Sequence, residues 1–69
     1  MKQYDVVRVA AIRDDRFTRE RPQYQRHPQV GDEGTILEVY NDAFEVECSD
    51  ETGNTIWLAA MFRDELQSV

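Results

Sequence analysis

The chain reads as an all-β domain, a small and strongly bent antiparallel barrel of four or five short strands. Three observations predict it. Residues 43–48 alternate cleanly, with Phe44, Val46 and Cys48 on one side and Ala43, Glu45 and Glu47 on the other, as a half-buried strand must. Turn-forming clusters, Gly31 to Gly34, Asn41 and Asp42, and Ser49 to Asn54, separate the apolar runs at short intervals. No segment sustains a helical period. A three-stranded meander closed by a C-terminal helix ranks below the barrel for that last reason.

The elements follow in order. Residues 4–12 hold Val6, Val7, Val9 and Ile12 and form the first strand; both of its alternating faces are apolar apart from Arg8, which predicts cover on both sides. Residues 13–30 differ in kind. They are charged, poor in apolar residues, and carry both prolines, Pro22 and Pro28. Such a stretch is a long loop, and loops above about 12–15 residues in a compact domain are mostly functional or disordered. A long loop after strand 1 is where SH3-like barrels place theirs. Residues 35–40 make the second strand, Asn41 and Asp42 the hairpin turn, and residues 43–48 the third strand. Residues 55–61 make the fourth, with Ile56, Leu58 and Ala60 opposite Trp57, Ala59 and Met61. Phe62 and Leu66 lie four apart around Arg63, Asp64 and Glu65, which predicts a short C-terminal helical turn.

Size sets the energetic frame. With 69 residues, 41% of them apolar, the chain is one domain with a thin core. Below about 70–80 residues a single core seldom supplies more than about 3–5 kcal/mol without a disulfide, a metal or a partner. A lone cysteine, Cys48, and a lone histidine, His27, give neither a bridge nor a zinc cluster. A protein partner or a homo-oligomer is left to supply the difference. The chain opens without an apolar leader and holds no stretch near the ~18 apolar residues of a membrane span, and an unpaired thiol suits a reducing compartment. The expectation is a complete cytoplasmic protein.

Net charge is −6, and it is lopsided. Residues 1–30 hold seven cations against four acids, +3; residues 31–69 hold Arg63 against ten acids, −9. Asymmetry of this kind marks a surface for a partner.

Tyr4 to Val7, the run Val30, Gly31, Asp32, Glu33, Gly34, Thr35, Ile36, Leu37, Glu38, Val39 and Tyr40, then Phe44 to Cys48, Thr55 to Leu58, and Glu65 with Leu66 together carry a resemblance. On these residues, which span most of the chain outside the arginine-rich loop, it resembles a family of small bacterial proteins, domain of unknown function 4926. The resemblance implies an SH3-like barrel of the kind in KOW and nitrile hydratase accessory modules. It implies no activity. Members resemble companions of small toxin-type proteins, which implies an antitoxin or immunity role by association only.

Constellations for chemistry are sparse. Cys48 continues the inward face of Phe44 and Val46, so it reads as a small buried hydrophobe rather than a nucleophile paired with His27. Asp50, Thr52 and Asn54 start like a calcium loop, but the sharp-turn position is Thr55 and the bidentate position is Met61. The acidic pairs Asp14–Asp15, Asp32–Glu33, Asp50–Glu51 and Asp64–Glu65 read as turn chemistry and solubility. Gly31 and Gly34 flank two carboxylates that would repel a phosphate, so the segment is a turn and not an anion clamp. No catalytic, cofactor-binding or metal-ligating residue emerges, and the chain is expected not to be an enzyme.

Binding is the remaining reading. Arg13, Arg16, Arg19, Arg21 and Arg26 interleave with Phe17 and Tyr24, a pattern that suits phosphate contact and base stacking. The net charge repels a polyanion, and the arginines have the acidic second half, or a twofold mate, to pair with. A protein-binding module is therefore preferred, with Glu38, Glu45, Glu47, Asp50 and Glu51 supplying an acidic field and Arg16, Phe17, Arg19 and Tyr24 supplying anchors. Trp57 is either core or, with Tyr4, Tyr24 and Tyr40, part of an aromatic groove, the core being favoured. A KOW-like RNA-binding module using the arginine loop, and an accessory subunit of an enzyme, are the alternatives.

Overall fold

The computed structural model describes residues 1–69. Five antiparallel strands form one sheet: β1 (Val6–Val9), β2 (Glu33–Val39), β3 (Ala43–Ser49), β4 (Thr55–Phe62) and β5 (Leu66–Ser68). Their spatial order is β4-β3-β2-β1-β5. No ladder joins β4 to β5, so the sheet is bent but not closed, and those two strands are its edges. Two single turns of 3-10 helix, Arg16–Arg19 and Arg63–Glu65, are the helical content. No helix is long and apolar enough to cross a membrane.

The period-2 pattern places the core. Phe44, Val46 and Cys48 from β3 meet Trp57 and Met61 from β4, Ile36 from β2, Val7 and Val9 from β1, and Leu66 from β5 in one buried cluster. Ala59 packs against it from β4. The β3–β4 register sets Phe44 opposite Met61 and the small Cys48 opposite Trp57. Cys48 is buried as its pattern predicts, and burial pushes its thiol pKa up.

The first strand departs from expectation. It spans four residues rather than nine, and only Val7 and Val9 are covered, while Val6 and Arg8 face solvent. Tyr4 has a φ of 72°, which breaks extended backbone before the strand. Beyond it, the N–H groups of Ala10 and Ala11 donate to the carbonyl of Glu65 instead of entering the β2 ladder. Apolar residues of modest size on both faces do not prove two-sided burial when only one layer exists to bury them.

The turns obey local chemistry. At the β2–β3 hairpin, Tyr40 N–H donates to the Ala43 carbonyl, and the ladder slips between Ile36 and Glu38, a bulge that bends the sheet. Between β3 and β4, Asp50 Oδ1 accepts the N–H groups of Thr52 and Asn54, and Gly53 takes a φ of 86°. Gly34 serves proximity instead of a turn. It sits inside β2, where a Cβ would lie 2.7 Å from the Glu47 carbonyl oxygen and 2.8 Å from Val46 Cγ1.

Candidate interaction surfaces

The long loop is strapped to the sheet at two carboxylates. Glu65 is the one charged side chain in the core, with no exposed surface. Its Oε1 accepts Arg16 Nη2 at 2.6 Å and the Phe62 N–H at 2.9 Å; its Oε2 accepts Arg16 Nη1 and the Arg13 N–H, both at 2.9 Å. The fork-to-fork pair with Arg16 and the two amides satisfy every lone pair a buried carboxylate exposes. Burial raises the Glu65 pKa, and Arg16 together with the Phe62 and Arg13 amides outweighs that, leaving it lowered. Arg16 is held further by Asp14 at 2.9 Å and by the Ala60 carbonyl at 3.2 Å. Its guanidinium lies 4.3 Å from the Phe17 ring centre and 4.9 Å from that of Phe62, while Arg13 stacks on Phe62 at 3.4 Å.

The second strap is Asp32. Its carboxylate accepts Arg26 through both guanidinium nitrogens, at 2.7 and 3.1 Å, the Trp57 indole N–H at 2.8 Å, and the Gln29 N–H at 2.9 Å. Here too burial opposes ionisation, and Arg26, Trp57 and Gln29 together lower the pKa. Between the straps, the N–H groups of Gln25 and Arg26 donate to the Ile56 carbonyl on the outer edge of β4. The loop thus leaves the β4 edge at Arg16 and returns to it at Gln25, arching over a groove of about 480 Å³.

The residues expected to bind a partner divide between this groove and the sheet. Arg16, Phe17, Tyr24 and Trp57 line the groove. Trp57 does so only through its margin, being 2% exposed; its ring is core and its indole N–H is spent on Asp32. Arg19 lies off the groove and pairs with Asp15 at 3.0 Å. Glu38, Glu45 and Glu47 belong to β2 and β3 and do not line the groove, although Glu45 and Glu47 stand opposite its Ala60 and Leu58 in the β3–β4 ladder. Glu38 lies directly opposite Glu45 in the ladder, and Glu45 accepts a hydrogen bond from the Tyr40 hydroxyl, while Glu47 accepts one from Thr55.

Ion pairing sorts the charges. Lys2, Arg8, Arg13, Arg16, Arg19 and Arg26 are all paired, with Asp5, Glu33, Asp64, Asp14 and Glu65, Asp15 and Asp32 respectively. Arg21 and Arg63 alone among the cations are not. Glu20, Glu38, Asp42, Glu45, Glu47, Asp50 and Glu51 form no ion pair, and all but Glu20 fall within residues 38–51. Sequence reasoning missed Glu65 and Asp32, which it assigned to turn chemistry. For Glu65 a signal existed: counted in threes, as a 3-10 turn requires, Glu65 and not Leu66 sits over Phe62.

A strapped loop over one edge of an open five-stranded sheet, with an acidic hairpin beside it, defines a small all-β domain. Residues 16–68 match the family model described as Domain of unknown function (DUF4926), and the chain belongs to that family. The match begins at Arg16, so it takes in most of the arginine-rich loop while leaving out β1. No curated protein and no solved structure shows significant similarity to the chain.

Proposed function

We propose that the protein is a non-enzymatic protein-binding module whose working surface is the acidic hairpin of β2 and β3 with the turn that follows it. The observation that supports this most directly is the sorting of charge. Every loop arginine but Arg21 is neutralised within the chain, whereas six carboxylates in residues 38–51 have no cation, and two of them, Glu38 and Glu45, stand opposite each other at a cost of stability. A basic protein surface is the partner chemistry that such a field selects, chiefly by accelerating encounter and by excluding acidic competitors. The antitoxin or immunity role implied by family resemblance is the case in which that surface is a basic active site of a small toxin. We read the setting as cytoplasmic and the fold as an SH3-like barrel, on the resemblance and on the long loop between β1 and β2.

RNA binding through the loop is less favoured, since four of its five arginines already hold carboxylates. Affinity capture with the wild-type chain and with a Glu38→Gln, Glu45→Gln, Glu47→Gln variant, at rising salt, tests the proposal. The expected result is one stoichiometric basic protein, released as salt rises and absent with the variant. Capture of nothing stoichiometric, or equal capture by the variant, overturns it.

A further inference from the structure

The groove under the loop is bounded by an edge strand whose hydrogen bonds are unfinished. In an antiparallel strand the N–H and C=O of one residue point to the same side and successive residues alternate. The Ile56 carbonyl meets Gln25 and Arg26, and the Ala60 carbonyl meets Arg16, both away from β3. Leu58 between them therefore directs its N–H and C=O outward as well, and Ala60 its N–H. Nothing in the chain meets these three groups. Leu58 and Ala60 line the groove, so two donors and one acceptor face its interior at strand spacing.

We propose that this groove receives the C-terminal residues of an extended partner chain, which add to β4 as a short strand and end in a carboxylate facing Arg21. Three features select a chain end over an internal segment or another ligand. The straps at Ile56 and Ala60 stop the free edge at both ends, leaving about 13 Å of strand, enough for roughly three residues and too little for a strand running through. Among the charged groups on the lining, three arginines, Arg16, Arg21 and Arg26, stand against one acid, Glu20, which favours an anionic end over an ammonium. Arg16 and Arg26 are occupied by carboxylates of the chain itself, while Arg21 is not. Tyr24, about half exposed, offers an aromatic wall for the side chain that points outward from the added strand. The chain's own tail is an unsuitable occupant, because Gln67 and Ser68 are paired with Arg8 and Val7 in the β1–β5 ladder. The proposal does not rest on the acidic hairpin, which lines no part of the groove although its Glu45 and Glu47 stand opposite Ala60 and Leu58 in the β3–β4 ladder.

Immobilised random hexapeptides with free C-terminal carboxylates, and the same peptides amidated, form the two arms of the test. Each is probed with the full chain, and the best binders are titrated into ¹⁵N-labelled protein. The expected result is binding in the carboxylate arm only, with the largest shifts at the Leu58 and Ala60 amides. Arg21→Gln should weaken it by about tenfold or more, as loss of a charge-assisted bond does, while Arg63→Gln leaves it unchanged. Leu58→Pro removes one edge donor without touching the β3 ladder and should also weaken binding. Equal binding of amidated peptides, no binding in either arm, indifference to Arg21→Gln, or shifts centred on Glu45 and Glu47 would each overturn the proposal. Binding confined to a peptide copying residues 64–69 of this chain overturns the assignment to a foreign partner.

Discussion

The loop of residues 13–30 and the hairpin of residues 38–51 are both rich in charge, yet charge does opposite work in them. In the loop it is consumed: Arg16 and Arg26 reach back to Glu65 and Asp32, and little net field is left over. In the hairpin no cation meets it: Asp50, Glu45 and Glu47 accept only neutral hydrogen bonds, and Glu38 faces Glu45 without a cation between them. An ion pair that tethers a segment is bound up in structure, whereas carboxylates left unpaired at some cost in stability remain available to a partner. The contrast makes the loop a structural strap and the hairpin the exposed electrostatic signal.

Breaking the strap should have the largest effect. Glu65→Ala deletes a fully buried carboxylate and leaves Arg16 and two amides without their acceptor. Removal of one member of a buried pair costs about 3–5 kcal/mol, comparable to the whole stability of a domain this small. Urea titration of the variant should show a chain largely unfolded in buffer. An unchanged midpoint would mean that the loop holds without its clasp.

Next comes the close approach of β2 and β3. Gly34→Ala drives a Cβ into a backbone carbonyl oxygen that cannot swing aside. Overpacking of this kind costs about 1–3 kcal/mol, read as a lowered urea midpoint at constant m-value. Because the strain falls at the open end of the β2–β3 hairpin, beside Val46 and Glu47, it should loosen the hairpin more than the loop, and amide exchange would locate it.

Acid should act on the strap selectively. Glu65 and Asp32 both have lowered pKa values in the folded protein, so the stability they confer is fully present above their unfolded values, about 4.3 and 3.9, and is lost as pH falls through the folded values. Thermal melts should show Tm falling below about pH 4.5. In Asp32→Asn the fall should be shallower, since that variant no longer has the Asp32 proton to take up. A Tm that rises on acidification would show that hairpin repulsion, not the strap, governs the response.

Much of this was legible in advance, and the reason is locality. The alternation of Phe44, Val46 and Cys48, the Asp50 turn and the inward Cys48 are each set by residues within a few positions, and all stand as the pattern predicts. The straps were not legible because Arg16 and Glu65 are 49 residues apart, and nothing in a pair such as Asp64–Glu65 says which carboxylate turns inward. The shorter β1 has a similar origin. Its two apolar faces were visible, but whether a second layer exists to cover the outer one is decided by the rest of the sheet. Of the expected binding residues, Trp57 is core, the reading its pattern favours, whereas Arg16 is spent on Glu65, and only a three-dimensional account of partners separates a spent arginine from a free one such as Arg21.

The smallest effect is the most informative about function. Glu38 and Glu45 face each other across β2 and β3, and like charges directly opposite destabilise a ladder by about 0.2–1 kcal/mol. Glu38→Gln should therefore raise stability by a few tenths of a kcal/mol, a gain that shrinks as salt screens the pair. If the hairpin is the partner surface, the same substitution should slow association with the captured basic protein. Stability and binding would then move in opposite directions, as they do where a surface is kept strained for use. A variant that gained stability and lost no on-rate would leave the facing carboxylates without a role in binding, and would shift the working surface to the groove beneath the loop.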